Sequence, residues 1–117
     1  MVDKRGLQSV RYEVPSPDEN DIGTVVPANL RRYIYRVKVQ EDSGNVNRVD
    51  LKKYIPPAEP ETAELVDEFR LTSHETYIDP KQLTEDALPL YILEGGSQMR
   101  AVGVADASIL LEYEDSE

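Results

Sequence analysis

Along this chain apolar and polar residues alternate with a period of two, and that pattern predicts strands. In Ser9–Val14, Val10, Tyr12 and Val14 face one way and Ser9, Arg11 and Glu13 the other, as in a half-buried strand. Leu30–Gln40 is the clearest run. Tyr33, Tyr35, Val37 and Val39 fall on one face; Arg32, Arg36 and Lys38 fall on the other, with Leu30 and Ile34 among them. A helix, with a period of 3.6, would scatter these positions, and Tyr, Val and Ile are strand formers. Val46–Leu51 reads as the returning partner, with Val49 and Leu51 inward. It follows the loop Glu41-Asp42-Ser43-Gly44-Asn45, in which Gly44 can take a positive φ.

The closing stretch follows the same rule. Leu88–Leu93 is apolar on both faces and is expected to lie deep, with Pro89 at its start or on an edge. Glu94-Gly95-Gly96-Ser97 is expected as a hairpin turn. Gln98–Val104 and Ala107–Tyr113 read as a last hairpin around Ala105-Asp106-Ala107, with Ala107, Ile109, Leu111 and Tyr113 on one face. Glu64–Leu71 is ambiguous. A helix would group Leu65, Val66 and Phe69; a strand turns Leu65, Phe69 and Leu71 inward and wastes Asp67. Its strand neighbours favour the strand. Ile22–Val26 is a further short candidate.

Between the runs lie polar or proline-bearing segments. Residues 15–21 carry no periodicity and are expected as a loop. Residues 54–62 hold Pro56, Pro57 and Pro60, which no central strand or helix interior accommodates, so an extended connection crossing between sheets is expected. Asp79-Pro80-Lys81-Gln82 has the form of a helix start: a capping Asp, Pro at the first helical position, and Gln completing a capping box. Pro89 limits that helix to one or two turns near 80–87. The expectation is therefore an all-β, single β-sandwich or jelly-roll-like domain over residues 1–117, with seven or eight short strands and at most one short helix.

Composition sharpens this. Leu, Ile, Val and Phe form about a quarter of the 117 residues, above the roughly 20% below which highly charged chains stay disordered. There is no Cys, hence no disulfide, thiolate metal site or cysteine nucleophile, and the single His excludes a multi-His metal site. No apolar run approaches the ~20 residues of a membrane span, and the first residues lack the apolar stretch of a signal peptide. A formal charge of −10 argues against general nucleic-acid binding. The expectations are a non-enzyme with no catalytic residue, cofactor or metal, no nucleic-acid partner and no membrane.

Three small motifs could carry chemistry, and each has a plainer reading. His74-Glu75 with Asp79 lies in one polar stretch, which reads as a surface loop. Asp18-Glu19-Asn20-Asp21-Ile22-Gly23 resembles the opening of a calcium loop, but an EF-hand needs an oxygen ligand at the fifth position, where Ile22 stands, and a bidentate Glu at the twelfth, where Asn29 stands. That leaves a weak cation site of another type or, more simply, an acidic solvated loop over 18–23. Gly95-Gly96-Ser97 could cradle a phosphate only if a helix followed, and a strand follows.

Charge distribution says more. Arg31 to Lys53 holds seven basic residues (Arg31, Arg32, Arg36, Lys38, Arg48, Lys52, Lys53) against Glu41, Asp42 and Asp50, a balance of +4, while the remainder carries −14. Read as a hairpin, this segment presents a basic outer face on an acidic protein. It suits contact with the acidic C-terminal Glu112 and Glu114 of a neighbouring copy, or docking on an acidic partner. An ordinary solvated strand face is the bland alternative. No aromatic interleaves the exposed cations, which argues against nucleic acid.

The strand Leu30–Val39, with the stretches Leu88–Gly96 and Ile109–Glu114, resembles small β-sandwich or jelly-roll decoration and minor capsid proteins of tailed viruses. The resemblance covers about two thirds of the chain in general pattern and brings no diagnostic motif. It implies a structural protein on the capsid surface of a virion. That protein would bind a major capsid protein and copies of itself, often as trimers; off the particle, it would be soluble and intracellular. The other reading is a β-sandwich ligand-binding module, for instance for carbohydrate. Trp is absent, so Tyr54 and Tyr77 are its free aromatic candidates. A cupin-type enzyme would want two or more His.

Overall fold

A computed structural model describes residues 7–15, 19–57 and 63–117. They form nine strands: β1 (Gln8–Val14), β2 (Glu19–Ile22), β3 (Arg31–Glu41), β4 (Asn47–Tyr54), β5 (Glu64–Leu71), β6 (Thr76–Asp79), β7 (Tyr91–Leu93), β8 (Gln98–Gly103) and β9 (Ala107–Ser116). The first sheet runs β1-β9-β3-β6, with β7 also on β3; the second runs β2-β8-β4-β5, and all pairs are antiparallel. Strands β6 and β7 pair with successive parts of β3, Val37–Gln40 and Arg32–Ile34. They act as one interrupted edge strand. Counted so, the order becomes 1-8-3-6 against 2-7-4-5, the strand order of a jelly roll.

The faces expected from alternation close on one another. Val37, Val39, Val49, Leu51, Ile109 and Leu93 are almost fully buried, and they join Ile22, Ile34, Met99 and Phe69 in one cluster between the sheets. Each such side chain contributes about 1.5–3 kcal/mol relative to exposure. Glu64–Leu71 is a strand.

The connections differ from the sequence expectation. Strands β3 and β4 lie in opposite sheets, as do β7 and β8, and β8 and β9. The expected hairpins at 41–45, 95–97 and 105–107 are therefore crossovers. The connection expected to cross, between β4 and β5, instead joins neighbours of one sheet, with Lys53 opposite Glu64. Its residues 58–62 lie outside the described part. The reason is geometric: a returning strand turns its apolar face to the same interior whether it pairs with its predecessor or faces it, so alternation looks the same in both cases.

Two bulges also move side chains. In β3 the register shifts between Ile34 and Arg36, leaving Tyr35 as the extra residue. Before the bulge the inward residues are Arg32 and Ile34; after it they are Val37 and Val39. Arg32 is thus inward, where it was expected outward, and Tyr33 is on the opposite face from Val37. In β5 the shift between Lys52 and Leu51 of the partner leaves Val66 extra. Leu65, expected inward, is 54% exposed, and Val66 packs on the core in its place.

Four smaller corrections follow. Residues 15–21 are not all loop, because Glu19–Asp21 belong to β2; residues 16–18 lie outside the described part. Ile22 ends that strand, so Ile22–Val26 is not one of its own. No helix forms near 80–87. Asp79 stays in β6 opposite Val37, and the carbonyls of Pro80 and Lys81, which a helix would use, accept from Arg36 Nε at 3.1 Å and Nη2 at 2.7 Å. Finally, Leu88–Leu93 is deep only at its end: Tyr91–Leu93 is a strand on an edge with Leu93 buried, and Leu88 is 83% exposed.

Candidate docking surfaces and the groups that frame them

Because β3 and β4 belong to different sheets, the basic residues of 31–53 divide between two opposite outer faces. Arg31, Arg36 and Lys38 lie on the first sheet, and Arg48 and Lys52 on the second, each strand alternating in and out. The expected single basic ribbon does not form. Lys53, at the end of β4, pairs with Glu64 Oε2 at 3.9 Å.

Arg32 leaves the surface altogether. Its Nε and Nη2 donate to Asp115 Oδ1 and Oδ2 at 2.7 and 2.8 Å, a two-pronged ion pair with side-chain exposures of 6% and 15%. Nη1 donates to the Thr24 carbonyl at 2.8 Å and Nη2 to Thr24 Oγ1 at 3.2 Å. The guanidinium lies 4.4 Å from the centre of the Tyr113 ring. Thr24 follows β2, so Arg32 ties the end of the first sheet to a loop of the second. The bulge at Tyr35 makes this possible by turning Arg32 inward.

On the outer face of the first sheet, Arg36 also reaches Glu112 at 3.8 Å, so two expected interface residues answer each other within one chain. Glu114 stands opposite Tyr33. On the second sheet, Arg48 is 3.5 Å from Asp50 and 3.7 Å from Glu68, and Arg100 is 3.4 Å from Asp21. Both broad faces thus mix charges of both signs.

The other candidate chemistry resolves into structure. Asp21 lies in β2, where it meets Arg100 and accepts from the Tyr54 hydroxyl at 3.1 Å, so 19–22 is strand and not an open calcium loop. Asp18 lies outside the described part. Among the described residues no group of three or more His, Asp or Glu is placed to hold a metal ion. His74 is exposed, with φ 59°, and its backbone N–H donates to Glu41 Oε2 at 2.9 Å. Glu41 was expected in a loop; it is the fully buried last residue of β3. It also accepts from the N–H groups of Ser43 and Gly44, at 2.7 and 2.8 Å, and from the Ser43 hydroxyl. Burial by itself would push its pKa up; the donors of Ser43, His74 and Gly44 outweigh that and hold it at about 2. The sequence hint was an acid two residues before Ser-Gly, able to cap the turn it enters.

The wasted Asp67 has a use as well. It accepts from the Tyr91 hydroxyl across the open edge of the sandwich, and burial, then this hydrogen bond, push the Tyr91 pKa well up. Tyr77 packs on Phe69 with ring centres 5.2 Å apart and planes tilted by 49°, and Tyr54 lies under Arg100 at 5.5 Å. Neither expected free aromatic is unengaged. Comparison with protein-family models, curated proteins and solved structures returns no match for this chain.

Proposed function

We propose that the chain is a non-enzymatic structural protein of a virus particle, a decoration or minor capsid protein that binds a capsid lattice and associates with copies of itself. The observation that carries this reading is a jelly roll reduced to its two sheets, with the interior filled by Ile22, Ile34, Leu51, Leu93, Met99 and Ile109. Jelly rolls serve capsid proteins, lectins and cupins alike. A cupin-type site would occupy the space between the sheets, and here that space is packed with aliphatic side chains. A sugar platform would want free aromatics, and Tyr54 and Tyr77 are committed to Arg100 and Phe69. The broad outer faces, with charges of both signs, suit contact with another protein.

The test is co-sedimentation with capsid shells that lack the protein, run beside a glycan array. Saturable binding to shells and no glycan retention is expected. Retention on glycans with no shell binding would replace this reading with the carbohydrate-binding one.

A further inference from the structure

The segment between β6 and β7 leaves the outer face of the first sheet, where Arg36 holds the carbonyls of Pro80 and Lys81. It then makes a turn in which Ala87 N–H donates to the Thr84 carbonyl at 3.2 Å. Glu85 and Asp86 occupy the two corner positions of that turn, and both are exposed. Leu88 follows at once and, at 83%, is the most exposed large apolar side chain among the described residues. Two carboxylates and a bare leucine therefore project together.

The outer face of the first sheet carries a pair of cations. Arg11, Leu110 and Lys38 stand abreast on β1, β9 and β3. With strands about 4.8 Å apart, the two cations flank Leu110 at roughly 10 Å from each other at the backbone. A cleft of about 90 Å³ opens there, bordered also by Gln40 and Ser108. It is several times the ~10–15 Å³ that holds one water, enough for the tip of a leucine. Among the described residues Lys38 forms no ion pair. Arg11 reaches only Glu13, at 4.0 Å, with side-chain exposures of 66% and 75%, a contact of little worth.

We propose that a second copy of this chain seats its Glu85–Leu88 turn on this cleft, with Leu88 over Leu110 and the carboxylates of Glu85 and Asp86 reaching Arg11 and Lys38 on either side of it. A two-fold axis that brings each turn onto the other copy's cleft lets the copies exchange both contacts, and the assembly closes as a dimer. The inference rests on the self-association half of the proposed function and names its surface.

Sedimentation velocity of the full chain over a range of concentrations tests it, with circular dichroism to show that each variant is folded. A reversible dimer is expected. Lys38→Glu and Leu88→Ser should each weaken it at least tenfold, and adding Glu85→Lys and Asp86→Lys to Lys38→Glu should recover at least part of the loss. Salt should weaken the wild-type dimer as the Debye length falls from about 10 Å at 0.1 M to 3 Å at 1 M. A monomer at every concentration, a trimer, a dimer indifferent to both single substitutions, or no recovery in the charge reversal would each overturn the proposal. A monomer that still binds capsid shells would sink this surface and leave shell docking standing. A dimer that ignores shells would do the reverse.

Discussion

Replacing Arg32 by Ala separates the folded arrangement from the one alternation alone would give. On an unbroken strand Arg32 would project into solvent, and its loss would cost within about 0.5 kcal/mol. In the structure the substitution removes four hydrogen bonds to Asp115 and Thr24 and strands Asp115 at 15% exposure. Breaking a buried ion pair from one side costs about 3–5 kcal/mol. That is less than four charge-assisted bonds at about 1.5–3 kcal/mol each would sum to, because water can reach Asp115 in part. Against a total stability of about 5–15 kcal/mol, this is a large share. For a domain of this size each kcal/mol moves Tm by roughly 3–5 °C, so a fall of about 10–20 °C is expected. Thermal and urea unfolding followed by circular dichroism would measure it. Asp115→Asn, alone and combined with Arg32→Ala, completes a double-mutant cycle, and a coupling of at least about 1 kcal/mol is expected. Arg70→Ala, whose side chain is 79% exposed and meets Glu68, should cost no more than about 1 kcal/mol. If Arg32→Ala is as mild as Arg70→Ala, the bulge at Tyr35 and the inward turn of Arg32 are wrong.

Three further outcomes are expected. Glu41 has a folded pKa of about 2, below its ordinary 4.5, so its contribution is fully present above about pH 5 and is lost as pH falls through that window toward 2. Urea unfolding at several pH values should therefore show the gap between wild type and Glu41→Gln shrinking on acidification; a constant gap would contradict this. Gly95→Ala should destabilise by about 1–3 kcal/mol, because its Cβ would meet the Ala28 carbonyl oxygen at 2.4 Å; an unchanged urea midpoint would show that the turn yields. At φ 59° His74 is held through its backbone N–H, so His74→Gly should lie within about 1 kcal/mol of wild type and His74→Val should cost more than His74→Gly; equal urea midpoints would refute this.

What the sequence disclosed was strand content and most inward positions, because period-two burial is written residue by residue: Val49, Leu51, Ala107, Ile109, Leu111 and Tyr113 face the interior as alternation requires. What it hid were single-residue and long-range events. Tyr35 is a strand former among strand formers, so nothing local marks it as the bulge that inverts Arg32 and Ile34. Sheet membership is equally silent, since a crossover and a hairpin demand the same inward face, and this misassignment joined Arg36 and Lys38 with Arg48 and Lys52 on one imagined ribbon. The helix signal at Asp79–Gln82 was locally sound but lost to Arg36, 44 residues earlier in the chain, which takes the Pro80 carbonyl. Asp115 as the partner of Arg32, and the Glu85–Leu88 turn as a surface feature, needed the fold before they could be seen.

Electron microscopy of the protein in its native assembly tests the central claim most directly. The account predicts density for a two-sheet jelly roll at regular positions on a capsid surface, in contact with the lattice and with neighbouring copies. Recovery of the protein only as a free monomer, absent from every particle, would contradict it.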